Sequence, residues 1–91
     1  VLGLGELGDP AAQALARTGF DVRGWSRSRK EIDGVACSAA TDTLDDFLRS
    51  VEILVILLPL TPETRGLIDA RRLALLPPGA KLINASRGAV V

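Results

Sequence analysis

Residues 1–8 read Val1-Leu2-Gly3-Leu4-Gly5-Glu6-Leu7-Gly8, a short apolar start that runs into three glycines spaced G-x-G-x-x-G. The pattern asks for a strand that turns sharply into a helix. Gly3 allows the tight turn out of the strand, Gly5 leaves the backbone bare to an approaching group, and Gly8 lets helix and strand pack closely. Leu7 to Arg17 then reads as helix, with Leu7, Ala11 and Leu15 on one face. Pro10 falls in its first turn, where backbone N–H groups have no intrahelical acceptor to lose. Glycine-rich turns are common, so the motif alone decides little. Set between a strand and a helix, with a second strand at Phe20–Trp25, it decides the fold.

Outward from that loop the chain alternates strand and helix with short connections. Val35–Ser38 reads as a strand, Thr43–Leu48 as a short helix and Val51–Leu58 as a strand. Asp69 can cap a helix over Ala70–Leu76, which Pro77, Pro78 and Gly79 end before a last strand at Lys81–Ala85. Right-handed crossovers turn this alternation into an α/β fold, an open doubly wound parallel sheet of the Rossmann type, expected in the order 3-2-1-4-5. Only Val1 and Leu2 precede the glycine turn, where a buried strand needs about five residues. A new segment also begins as the chain stops at Val91. Residues 1–91 are therefore expected to be a truncated dinucleotide-binding domain of a larger protein.

Composition agrees with buried parallel strands. Hydrophobic residues make up 47% of the chain and aromatics 3%, so Val, Leu, Ile and Ala must fill the interior between helices on both faces. Eleven basic and eleven acidic residues cancel, leaving no overall field for nucleic acid or an anionic membrane surface, and any anion site must be local. The longest apolar run, ILVILLPL, is broken by Pro59 and too short to span a bilayer. With one cysteine and nothing resembling a signal peptide, a reducing, cytoplasmic setting is expected. Cys37 reads as a small buried residue, since the chain has no histidine to activate it.

A glycine turn at a helix start is an anion site, because the N–H groups near Glu6 and Leu7 point outward at the positive end of the helix. The bound group would be a pyrophosphate. A unit that prefers NAD carries an acid at the end of its second strand, to accept from the ribose hydroxyls. Ser26 stands there, eighteen positions after Gly8, and Arg27, Ser28, Arg29 and Lys30 follow. A guanidinium is a planar fork that matches a phosphate with two hydrogen bonds, and serine hydroxyls add neutral donors. The plain alternative is a solvated basic loop neutralised by Glu31 and Asp33, but the location at a strand end favours NADP(H) over NAD(H). Arg27 and Ser28 are expected on the 2′-phosphate, with Ser26 and Lys30 in support. Trp25 or Arg27 would flank the adenine, and Arg29 is left to solvent.

The last third, LLPLTPETRGLIDARRLALLPPGAKLINASRGAVV, carries two further blocks: Pro59-Leu60-Thr61-Pro62-Glu63-Thr64 and Asn84-Ala85-Ser86-Arg87-Gly88. With these the chain resembles the D-isomer-specific 2-hydroxyacid dehydrogenase family along nearly its whole length. GLGELG followed by RGWSRSRK resembles the branch that reduces glyoxylate and hydroxypyruvate with NADPH. The resemblance implies that Arg87 pairs with the carboxylate of a small 2-oxo acid and polarises its C2 carbonyl. Chemistry agrees, since an oxygen that gains charge during hydride transfer needs a fixed cation at the C-terminal edge of the sheet. Leu58, Pro59, Leu60 and Thr64 would lie beside the nicotinamide ribose, and Ala85 and Ser86 near the nicotinamide. The family takes its proton from a histidine paired with a glutamate. Both positions would follow Val91, so these residues alone are not expected to turn over substrate. The resemblance also implies a homodimer.

Two other readings stay open at this point. A 3-hydroxyacid dehydrogenase has a similar glycine loop and basic strand end, although the PLTPET and NASRG blocks speak against it. A dinucleotide-sensing module would use the same fold without catalysis. A downstream Glu, and a His in a Pro-His-x-Ala context, would separate the reductase from the sensor. The remaining charges read as structural: Asp45, Asp46 and Arg49 on a helix whose Leu44, Phe47 and Leu48 face inward, and Arg71 and Arg72 on an exposed turn. No cluster has metal-ligand spacing, and one tryptophan with two phenylalanines makes no stacking platform for nucleic acid.

Overall fold

Gly3 and Gly8 do what their spacing demands in the computed structural model, which describes residues 1–58, 61, 62 and 64–85. Gly3 turns the chain at φ 104°, and a Cβ there would lie 3.0 Å from the backbone of Leu57 and Leu58. At Gly8 a Cβ would lie 1.7 Å from the Gly3 carbonyl oxygen. Only hydrogen fits at Gly8, and at Gly3 a side chain would be both crowded and strained, so turn and helix start close onto each other. Helix α1 runs from Gly8 to Arg17. Its inward face is Ala12, Leu15 and Ala16, packed with Val1, Leu4, Val22, Ile32 and Val35. Leu7 does not share that face as expected. It stands before the first helical residue as the N-cap and is 71% exposed.

The strands form two parallel pairs. Strand β1 (Val22–Ser26) lies beside β2 (Val35–Ala39), with Val22 opposite Val35 and Ser26 opposite Ala39. Strand β3 (Ile53–Ile56) lies beside β4 (Lys81–Asn84), with Ile53 opposite Lys81. The first strand, expected before the glycine turn, is present only as a bridge at Leu2, parallel to Trp25 on one side and Ile56 on the other. Gly3 N–H donates to the Trp25 carbonyl at 2.7 Å and Trp25 N–H to Val1 at 2.9 Å. On the far side Leu2 N–H donates to Val55 at 2.7 Å and Leu57 N–H to Leu2 at 2.8 Å. Among the described residues, the named strands thus make two two-stranded sheets joined through one residue, rather than one five-stranded sheet.

Between β2 and β3 a 3₁₀ turn at Thr41–Thr43 leads into α2 (Leu44–Arg49). Asp69 caps α3 (Ala70–Leu73) by accepting from the Arg72 N–H at 2.9 Å, as the sequence suggests, but the helix stops well short of Pro77. The larger core gathers Leu2, Trp25, Leu44, Phe47, Leu48, Leu54, Ile56 and Ile68, with α2 packed over the sheet.

Arg71 and Arg72 are more than residues of an exposed turn. Asp45 on α2 receives Arg71 Nη1 at 2.9 Å and Arg72 Nε at 3.2 Å, and Arg72 Nη1 also donates to the Leu67 carbonyl at 2.8 Å. The Arg72 side chain is 15% exposed. The Arg71 guanidinium is the main cause that holds the Asp45 carboxyl below the usual carboxylate range, and Asp45 in turn raises the pKa of Arg71. No described helix is long and apolar enough to cross a membrane.

Candidate functional site

The ends of three segments meet at one edge of the fold, around the glycine loop. Residues 5–7 are exposed, and Leu7, the N-cap of α1, makes no side-chain cap. The chain turns inward again where Asp9 N–H donates to the Gly5 carbonyl at 3.0 Å. Unlike Gly3 and Gly8, Gly5 is not required by packing or by a left-handed backbone: a Cβ there meets nothing within 4 Å. Its bare backbone faces open space at the positive end of a helix, which is the arrangement an anion uses.

The Gly3–Trp25 hydrogen bond sets the end of β1 directly against this loop. Ser26, the last residue of β1, is buried, and its hydroxyl donates to the Ser28 carbonyl, folding the segment back on itself. Arg27, Ser28, Arg29 and Lys30 follow, all exposed. A cavity of about 600 Å³ opens next to them, with Arg29, Lys30, Cys37, Ser38 and Thr43 in its wall. Arg29, expected in bulk solvent, thus edges a concave surface. Cys37 is half-buried, its thiol directed at the Val35 carbonyl.

Trp25 requires a correction. It is 0% exposed, packed in the core, and its Nε1–H donates to the Ala40 carbonyl at 3.0 Å and to Thr43 Oγ1 at 3.2 Å. A ring with no free face has nothing to lay against an adenine. The amphipathic indole sits on the inward side of β1 with its polar edge satisfied by a turn. Of the two residues expected to flank the base, only Arg27 has the exposure to do so.

On the other side of the loop lie the residues after β3. Leu58 is a buried core residue. Thr64 also departs from its expected place along a ligand: it is 1% exposed, and its Oγ1 accepts from the Thr61 N–H at 2.8 Å while its own N–H returns to the Thr61 carbonyl at 3.1 Å. It shapes the Thr61–Thr64 turn instead of lining a surface. Ala85 is exposed at the end of β4, its N–H donating to Ile56 at 3.1 Å. Pro59, Leu60, Ser86 and Arg87 lie outside the described residues.

Two residues that shape the site were not singled out from sequence. Ala40 adopts φ 70°, alone among the described non-glycine residues. Thr43 Oγ1 reaches the Ala39 and Ala40 carbonyls at 2.5 and 2.9 Å. No residue type announces Ala40, since a left-handed position ordinarily carries glycine or asparagine.

The family model described as D-isomer specific 2-hydroxyacid dehydrogenase, NAD binding domain, matches residues 1–91. The chain is 51% identical over 89 residues to glyoxylate/hydroxypyruvate reductase A of Serratia proteamaculans, covering 98% of this chain and 28% of that protein. A D-isomer specific 2-hydroxyacid dehydrogenase of Xanthobacter autotrophicus Py2, solved with NADPH and MES, superposes with a TM-score of 0.97 at 61% identity, over 99% of this chain and 37% of that one. An NADPH-dependent glyoxylate/hydroxypyruvate reductase of Sinorhizobium meliloti, solved with NADP and sulfate, gives 0.89 at 48% identity, over 98% and 29% respectively. The chain thus spans little more than a quarter of the length of the Serratia relative.

Proposed function

The chain belongs to the D-isomer specific 2-hydroxyacid dehydrogenase family as an NAD binding domain, and from that premise we propose that its parent protein reduces small 2-oxo acids with NADPH. Glyoxylate and hydroxypyruvate are the substrates the Serratia and Sinorhizobium relatives suggest by name. The observation that carries the reading is the contrast among the three glycines: packing explains Gly3 and Gly8, whereas Gly5 lies open at the helix start, with room for an approaching ligand. Family membership sets the 3-hydroxyacid dehydrogenase reading aside.

The residues present fit the cofactor. Glu6, Leu7 and Gly8 offer backbone N–H groups to the pyrophosphate, and Ser26, Arg27, Ser28 and Lys30 form the cationic end that takes a 2′-phosphate. Bound there, the dinucleotide supplies a hydride to C2 of the oxo acid. Arg87 holds the substrate carboxylate and stabilises the charge that grows on the carbonyl oxygen. It keeps its own proton, because a guanidinium stays charged. The proton that completes the hydroxyl comes from elsewhere in the parent protein, as the chain holds no histidine. That protein is proposed to be cytoplasmic, on its cysteine usage, and a homodimer, on the family resemblance.

The test is steady-state kinetics of the complete protein with NADPH and NADH, on glyoxylate and hydroxypyruvate, for wild type and Arg27→Asp. NADPH is expected to be favoured by the wild type, and the acid is expected to cut kcat/KM for NADPH at least tenfold, on the order of one lost charge-assisted bond plus repulsion. A wild type that favours NADH overturns the cofactor reading. No turnover of either acid, with NADPH still bound, would favour a sensing module.

A further inference from the structure

The segment proposed to choose between NADPH and NADH is held at its root by a network of hydrogen bonds. Ser26 ends β1 opposite Ala39. Ala40 N–H donates to the Ser26 carbonyl at 3.2 Å, while the Ser26 hydroxyl donates to the Ser28 carbonyl. The fold of the Ser26–Ser28 turn is therefore tied to where Ala40 sits. Ala40 is held at φ 70° and ψ 156°, a backbone state that a residue with a Cβ keeps only where its surroundings dictate it. Those surroundings are Trp25 and Thr43. The buried Trp25 Nε1–H donates to the Ala40 carbonyl, and Thr43 N–H donates to the same oxygen at 3.2 Å. Thr43 Oγ1 accepts from the indole and has one proton to give, to Ala39 at 2.5 Å or Ala40 at 2.9 Å.

We propose that Thr43, acting through Ala40, is a positioning residue for cofactor specificity: the Trp25–Thr43–Ala40 network fixes the Ser26–Ser28 turn in the shape that receives a 2′-phosphate. The inference rests on the function proposed above. Recognition of a phosphate by a guanidinium and hydroxyls depends on donor directions, and a turn freed at its root loses those directions before it loses its fold. NADH lacks the phosphate, so its binding does not draw on that order.

Thr43→Val in the complete protein removes the hydroxyl at nearly constant volume. It is expected to raise KM for NADPH about fivefold, on the scale of one neutral hydrogen bond, with kcat and the KM for NADH unmoved. Thr43→Ser keeps the hydroxyl and should keep the wild-type ratio of NADPH to NADH efficiency. A merely structural role would lower the thermal midpoint and leave that ratio alone, and this result in a folded Val variant overturns the proposal. A Ser variant as impaired as Val overturns it too. Should the Val protein not fold, Ala40→Gly carries the test, because glycine takes this backbone without cost: the ratio should fall at least twofold with the thermal midpoint unchanged or raised, and an unchanged ratio overturns the proposal. If instead the wild type favours NADH, or Arg27→Asp leaves the ratio intact, it is the function reading that fails.

Discussion

Three glycines of one motif separate at the residue scale into different kinds of requirement. Gly8→Ala would drive a Cβ into the backbone oxygen of Gly3, an atom with no rotamer by which to yield. It is expected to destabilise the protein by about 1–3 kcal/mol or more, as overpacking does, read as a lowered denaturant midpoint. Gly5→Ala meets no atom, so its midpoint should hold or rise by the equivalent of about 0.4–1 kcal/mol, since alanine has less freedom to lose on folding. The same variant should bind NADPH more weakly in a fluorescence titration, because the methyl occupies the space a pyrophosphate would enter. A Gly5→Ala protein that binds normally would remove the observation on which the function rests. The glycine spacing made all three legible in sequence, down to which two serve the turn and the packing and which one stays open. Trp25 and Thr64, set along a ligand by their motifs, are buried instead: a motif gives a position along the chain, and whether a side chain faces in or out is settled by packing against α2 and by the Thr61 turn.

Element types held, while boundaries shifted and two elements contracted sharply. Strand β3 covers four residues of the eight expected and α3 four of seven, because apolar runs continue past the point where backbone pairing ends. What sequence did not disclose was the tie between α2 and α3. Asp45 lies 26 positions from Arg71, and no local pattern links them. Since the ordinary carboxylate pKa is about 3.9 and that of Asp45 is lowered by Arg71 and Arg72, its contribution to stability is complete above the ordinary value. It is lost as pH falls through the lowered one. Asp45→Asn should therefore lower the urea midpoint at pH 7, and the two proteins should converge in strong acid. A midpoint difference that persists at the lowest pH would mean the side chain acts by packing and not by charge.

Over the whole molecule the decisive contact is the smallest. Leu2 is 0% exposed and bridges Trp25 on one side and Ile56 on the other, so Leu2→Ala is expected to cost about 2–5 kcal/mol. It should also speed hydrogen exchange at the amides of Trp25 and Leu57 together, although these lie on opposite sides of the bridge. Exchange that rose at only one of them would show that the halves do not communicate through this residue. The same bridge sets an order of events during synthesis. Leu2 leaves the ribosome 54 residues ahead of its partner Ile56, which at typical elongation rates is a wait of roughly 3–11 s. In that interval Trp25 can already pair with Val1 and Gly3, leaving the opposite edge of this segment open. The nascent chain must keep that edge from every other strand until β3 arrives.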